Sequence, residues 1–554
     1  MIQPRPGPLA LATALVLATL AGCASAPASS PMGAPVAPVG IDLAPVAEHP
    51  QPRALPAGWR TGAFMEVFVR GYQDSDGDGI GDLRGLTQRL DYLRDLGIRG
   101  LWLMPITRSA DHDHGYAVAD FRSLEPAYGT LADLDALVRE AHARGIAIVM
   151  DYVINHSASE DPLFVASASS RDSPYRGWYV WEDTHPPGWD IFGHDPWTST
   201  RNGAYFAQFG SPMPDFNLRN PAVVAYHRDS LRFWLNHGID GFRIDAVGHL
   251  FENGKDGWSL QKENYAFMRA LRASLAAYPD TYWVCESPGD PLGFGRDDAC
   301  GASFAFGQSD HLVKAARGDV DAIRAVADYW LTAPPGMATM VSNHDAFAGH
   351  RLWDAMHGDP SRVRLAAATY LLQPGTPYIY YGEELGMGAT ASLDDDWKLR
   401  GPVSWTADPR TAGFTIGMPY RPPSINVAAN NAAAEAQDPQ SLLAFYRDML
   451  RLRNTLPSLG RGSYEAPQVD GQVMSFQRRW RDGAGGAQDH TLVVLNYGTQ
   501  PARATVAGLG AQARVTRVYP APAAGAPDAT VTATGGKIYL AATALSVQVF
   551  RVDD

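Results

Sequence analysis

Gly241-Phe242-Arg243-Ile244-Asp245-Ala246-Val247-Gly248-His249 is a short apolar run that ends on a carboxylate. Side chains alternate across a strand, so Arg243 and Asp245 share one face while Phe242 and Ile244 share the other. Three more segments repeat the form in chain order: DYVINH at 151–156, VCES at 284–287 and SNHD at 342–345. Each closes a run that reads as a buried strand and leaves a carboxylate or imidazole where the strand gives way to a loop. That is the place where a (β/α)8 barrel carries its chemistry.

Working outward, strand and helix patterns alternate. Strands are predicted at 64–69, 101–103, 146–151, 239–245, 281–286, 302–306, 338–342 and 378–381. Helices between them carry their own punctuation. Gly97 stops the pattern from 86 to 96, Thr130 and Asp133 form a capping box, and Asn220 with Pro221 gives an N-cap and a first helical residue before Gly238 closes the turn. Eight such units imply a closed parallel barrel at 59–155 and 218–462. Residues 156–217 break the rhythm as a polar, aromatic and Gly/Pro-rich insertion after the third strand. From 463 to 554 short alternating segments predict an antiparallel β-sandwich.

The N-terminus reads as an export signal over 1–23. Arg5 supplies the positive charge, the segment 9–20 a short apolar run, and Leu-Ala-Gly-Cys at 20–23 resembles a bacterial lipobox with Cys23 as the lipidated residue. Residues 24–58 are rich in Ala, Pro and Ser and read as a tether. The expectation is an exported lipoprotein attached to a membrane through its lipid anchor only.

The chain has 554 residues, 45% hydrophobic and 19% charged, which suits an ordinary globular protein of more than one domain. A formal charge of −13 argues against nucleic acid and suits a neutral substrate such as sugar. Aromatics between Trp178 and Trp197 add modest support for sugar stacking. Cys285 and Cys300 remain besides Cys23. Cys285 adjoins Glu286 on a strand and so faces the helix layer, where a buried free thiol is expected rather than a disulfide.

The four ordered segments, MPDFN at 213–217, GYxxxDF at 115–121, the insertion and the β-rich tail together resemble the α-amylase family, glycoside hydrolase family 13, over about residues 60–554. The resemblance implies Asp245 as nucleophile, Glu286 as acid/base and Asp345 as the third carboxylate. It implies that His156 and His344 bond the sugar and that Tyr116 stacks on it. Arg243, on the face of Asp245, is expected to hold that carboxyl ionised, and the strand-end pocket to raise the pKa of Glu286. Asp151 reads as structural. A catalytically inactive binding or partner member of the family would lack a catalytic carboxylate, and all three are present here.

DSDGDGIGD at 74–82 places carboxylates at alternating positions around a turn glycine, which suits Ca2+ held by Asp74, Asp76, Asp78, the Ile80 carbonyl and Asp82. It is not an EF-hand, since the twelfth position is Gly85. A second calcium site from Asn155, Asp215 and the His249 carbonyl is a further expectation from the family. Gly248 stands where many endo-acting relatives carry a Lys, which puts a long leaving-side groove in doubt. The expected activity is retaining hydrolysis of α-1,4 bonds in malto-oligosaccharides by a monomer. Glucosyl transfer or isomerisation is the alternative within the family.

Overall fold

The computed structural model describes residues 37–52, 55–483, 485–521 and 530–554. Cys23, its lipobox and the start of the tether lie outside them. Among the described residues no helix is long and apolar enough to cross a membrane.

Eight strands close a parallel barrel: β1 (Phe64–Val67), β2 (Gly100–Leu103), β3 (Ala147–Tyr152), β4 (Gly241–Ile244), β5 (Tyr282–Cys285), β6 (Ser303–Phe304), β7 (Met337–Thr339) and β8 (Thr376–Tyr380). Each lies at a predicted position. Alternation sorts their side chains into two cores. Phe64, Trp102, Val149, Tyr282, Val284, Phe304 and Tyr378 fill the interior. Met65, Leu101, Ile148, Phe242, Ile244 and Ile379 face the helices. Truncating one of these buried aliphatic side chains to Ala costs about 2–5 kcal/mol. Gly241 opens β4 because a Cβ there would lie 2.2 Å from the Tyr282 carbonyl oxygen.

The helices end as their caps dictate. Thr130 and Asp133 form the capping box of Leu131–Ala143, and Asn220 accepts from the Ala222 N–H at the start of Pro221–Asn236. Gly97 takes the left-handed conformation, φ 104°, that ends Leu90–Leu96.

The segment after β3 holds a helix, Pro162–Ser169, and a three-stranded sheet of Trp181–Glu182, Gly203–Phe206 and Trp197–Thr200. Its tryptophans build a local core rather than a sugar platform. Trp197 packs with Ile191 and Phe206, and Trp181 stacks on Phe164. The C-terminal strands form a six-stranded antiparallel sheet and a two-stranded one. Val473, Leu492, Val494, Val506, Ile538 and Phe550 are buried between the two, while Met474, Phe476, Val493 and Val549 on the other face join the main core.

Two expectations change. The segment read as a tether is docked in part: Ile41 is buried, the His49 N–H bonds Asn236 and Tyr278, and Arg122 bonds the Ala44 carbonyl. Backbone groups of a Pro/Ala-rich stretch can bond a helix surface without a core of their own. Cys285 faces the helix layer as read, but it is bonded to Cys300 there, at a Cα separation of 6.1 Å. The chain turns through Pro291–Phe294 and folds back, and the Cys300 N–H bonds the Phe294 carbonyl, which brings the second sulfur into the same layer. Facing away from the site did not isolate the thiol.

Candidate active site

The C-terminal strand ends converge on a cavity of about 880 Å³ lined by Tyr116, His156, Asp245, Glu286 and Asp345, among others. Asp245 follows β4 directly and Glu286 follows β5, and their backbones are laced together: the Glu286 N–H bonds the Ile244 carbonyl and the Val247 N–H bonds the Glu286 carbonyl. Between them Ala246 takes φ 49°, a left-handed conformation that costs energy for a residue with a Cβ. It aims the Ala246 N–H at Oε2 of Glu286, 3.0 Å away.

Arg243 sits beneath this pair, almost fully buried. Its Nη1 donates to Asp245 Oδ1 at 2.5 Å and to Asp151 Oδ1 at 2.9 Å, and its Nη2 lies 3.0 Å from Glu286 Oε2. One guanidinium therefore serves three carboxyls. Asp151, read as structural, holds Arg243 from the end of β3. It is buried, does not line the cavity, and takes Tyr116 Oη and Trp102 Nε1 on its second oxygen.

That sharing corrects the expectation that Arg243 simply lowers Asp245. Burial pushes the Asp245 pKa well up, Arg243 pulls against it, and the negative charge of the neighbouring Glu286 and Asp151 pushes it further up.

Asp345 lies beyond β7. Its Oδ1 takes Arg400 Nη2 at 2.7 Å and its Oδ2 lies 3.0 Å from His344 Nε2. Burial would raise its pKa, but His344, Arg400 and Arg243 hold it far below the usual carboxylate range. His344 is gripped from behind by Glu66 on β1, 2.6 Å from Nδ1. Burial would lower the His344 pKa, yet Asp345 and Glu66 on either side lift it to about 10. The residue is an imidazolium between two carboxylates.

Tyr116 stacks on His344 at 5.6 Å and bonds its Nε2 at 2.9 Å. His156 lines the cavity, burial lowers its pKa to about 4, and its Nε2 has no protein partner. A buried polar atom left open inside a cavity is a place for a substrate hydroxyl.

Sequence reading missed Glu66, Arg400 and the aromatic rim. Glu66 had a signal, as the one charge within the apolar strand Phe64–Val67. Phe192 had a weak one, as a member of the aromatic cluster from Trp178 to Trp197, whereas Arg400 and Phe347 had none, since they stand in loops without period. Phe192 and Phe347 are 62% and 66% exposed at the rim, which is costly unless something covers them. Gly248 also lines the cavity, and a side chain there would meet Leu260, whose Cδ2 lies 3.2 Å from the Cβ position.

Away from the cavity, ligand atoms of Asp74, Asp76 and Asp78 lie within 4.8 Å of one another, a group that can hold a metal. Burial would raise the Asp74 pKa, but the Thr415 hydroxyl and the Gly77, Gly79 and Asp76 N–H groups lower it. Asp82 is not in that group, and it also ties the loop locally: one oxygen caps Leu83–Gln88 through the Gly85 N–H and the other takes the Ser75 N–H. The Ile80 N–H closes the turn on Asp78 Oδ1.

Barrel, paired carboxyls and charged imidazole define a glycosidase of the (β/α)8 class. Residues 66–462 match the model of the α-amylase catalytic domain, and the chain belongs to the α-amylase family. It is 33% identical to alpha-amylase 3 of Dictyoglomus thermophilum over 435 residues, 76% of this chain and 83% of that protein. It is also 33% identical to the trehalose synthase/amylase of Mycolicibacterium smegmatis, over 82% of this chain and 88% of that one. Among solved structures, the α-amylase from H. orenii superposes with a TM-score of 0.77 at 29% identity, covering 89% of this chain and 100% of that chain.

Proposed function

We propose that the protein is a retaining glycoside hydrolase that cleaves α-1,4-glucosidic bonds in malto-oligosaccharides. The observation that carries this reading is that the Asp245 and Glu286 carboxyls, from adjacent strand ends, engage one guanidinium beside a third carboxylate held ionised. Glu286 acts as the acid and Asp245 as the nucleophile. Asp245 attacks the anomeric carbon while Glu286 protonates the departing glycosidic oxygen, and the C–O bond breaks to leave a glycosyl ester on Asp245. Glu286, now a carboxylate, takes a proton from water, whose oxygen attacks the same carbon and releases Asp245. Asp345 and His344 anchor the sugar ring, with Tyr116 and His156 beside it.

A second reading, glucosyl transfer or isomerisation, is favoured by the apolar wall of Phe192, Phe209, Trp258, Leu260 and Phe347, which disfavours water as the acceptor. The trehalose synthase/amylase relative is consistent with it. A product profile on starch, maltotriose, isomaltose, maltose and trehalose separates the two. Maltotriose should yield glucose with the α-anomer first. Maltose turned into trehalose, with maltotriose intact, would replace the first reading by the second.

Calcium at Asp74, Asp76 and Asp78 is proposed as a structural ion that cross-links the loop after β1. Anchoring through Cys23, export and a monomeric state are proposed from the sequence alone.

A further inference from the structure

Asn155, Asp215 and the His249 carbonyl do come together, as the family expectation of a second calcium site requires, but the residues do not fit a cation. Gln208, wholly buried, reaches the point they face. Its Nε2 donates to Asp215 Oδ2 at 2.7 Å and to the His249 carbonyl at 2.8 Å. Asn155 also presents its Nδ2, and not its oxygen, to Asp215 Oδ2, 3.1 Å away. A calcium ion needs oxygens around it. Here the acceptors converge on N–H donors, and an ion at their focus would collide with the Gln208 amide.

The amide orientation follows from hydrogen-bond logic. Two acceptors on one side fix the NH2 there, so Oε1 faces Nδ1 of His249, 3.0 Å away, and that nitrogen must carry the hydrogen. His249 is thereby held as one neutral tautomer. Burial lowers its pKa to about 4 despite the opposing pull of Glu286.

We propose that Gln208 is a positioning residue that performs, with a neutral amide, the task of a cation at the junction between the inserted segment and the barrel. Three cavity-lining residues depend on it. Phe209 is its chain neighbour, His249 is bonded to it through both carbonyl and ring, and His156 forms an isolated β-bridge with its partner Asp215. The cavity wall on that side is therefore metal-independent. The proposal holds for whichever α-glucoside is the natural substrate, because the assay needs only an aryl α-glucoside.

The decisive variant is Gln208→Glu. It is nearly isosteric but puts a second carboxylate against Asp215, turning the junction into a set of oxygens that requires a cation. With 4-nitrophenyl α-glucoside well below the melting temperature, Q208E in chelator should lose about tenfold or more in kcat/KM, and millimolar calcium should restore it to within about threefold of wild type. Wild-type protein taken through the same steps measures any contribution from the Asp74 loop and should change little. Gln208→Leu, which keeps the bulk but donates nothing, should lose about tenfold in kcat/KM with no recovery in calcium. A Q208E protein that folds only with calcium supports the proposal. A Q208E protein indifferent to calcium, or aggregated with and without it, overturns the proposal, as does Q208L with wild-type kcat/KM.

Discussion

The backbone N–H of Ala246 lies 3.0 Å from Oε2 of Glu286, so the strand that carries Asp245 also orients the carboxyl facing it. That bond and Arg243 Nη2 both engage Oε2 of Glu286, while Arg243 Nη1 holds Asp245 Oδ1. The arrangement assigns different tasks to two like residues, and each assignment can be measured.

Asp245→Asn removes the proposed nucleophile while keeping its shape. Turnover should fall by about three orders of magnitude or more, with substrate affinity largely kept. Activity within about tenfold of wild type would remove Asp245 from its role.

Glu286→Gln should be selective in its damage. Aryl glucosides with activated leaving groups need no proton on departure, so they should retain far more of their wild-type rate than maltotriose does. Equal losses on both substrates would mean that Glu286 is not the acid.

The charged state of His344 couples stability to pH. Its pKa rises from the ordinary 6.5 to about 10 on folding. A raised folded pKa contributes stability that is full below 6.5 and lost as pH climbs through about 10. The melting temperature should therefore decline across that window, and His344→Gln should remove most of the slope. An unchanged slope in that variant would show that other groups set it.

The loop from Asp74 should respond to chelation in stability rather than rate. A metal bound only by the folded state stabilises it by mass action, so chelator should lower the melting temperature. Asp76→Ala with Asp78→Ala should reproduce the loss and abolish the response. Unchanged melting and unchanged chelator response would make the loop an acidic turn.

The barrel and its three carboxylates were legible because period and punctuation are local. The strands β1 to β8 are short, largely apolar runs, and Asp245 and Glu286 are the first residues past theirs. What escaped depends on contacts far apart in sequence. Arg400 reaches Asp345 from a loop 55 residues on, and Gln208 meets His249 across 41. The Trp178 to Trp197 cluster divides, its tryptophans in a local core and Phe192 at the cavity rim, because aromatic content alone does not distinguish the two. Cys285 misled because a side chain's direction says nothing of which loop folds back to meet it.

The ring closed by Cys285 and Cys300 contains Ser287, Pro288 and Gly289, all of which line the cavity beside Glu286. A cross-link over a loop of that length withholds about 3 kcal/mol of freedom from the unfolded chain in the loop-entropy account. Its other effect is on the cavity: the stretch of wall next to Glu286 belongs to a closed covalent hoop rather than to an open loop, tied to the barrel at both ends.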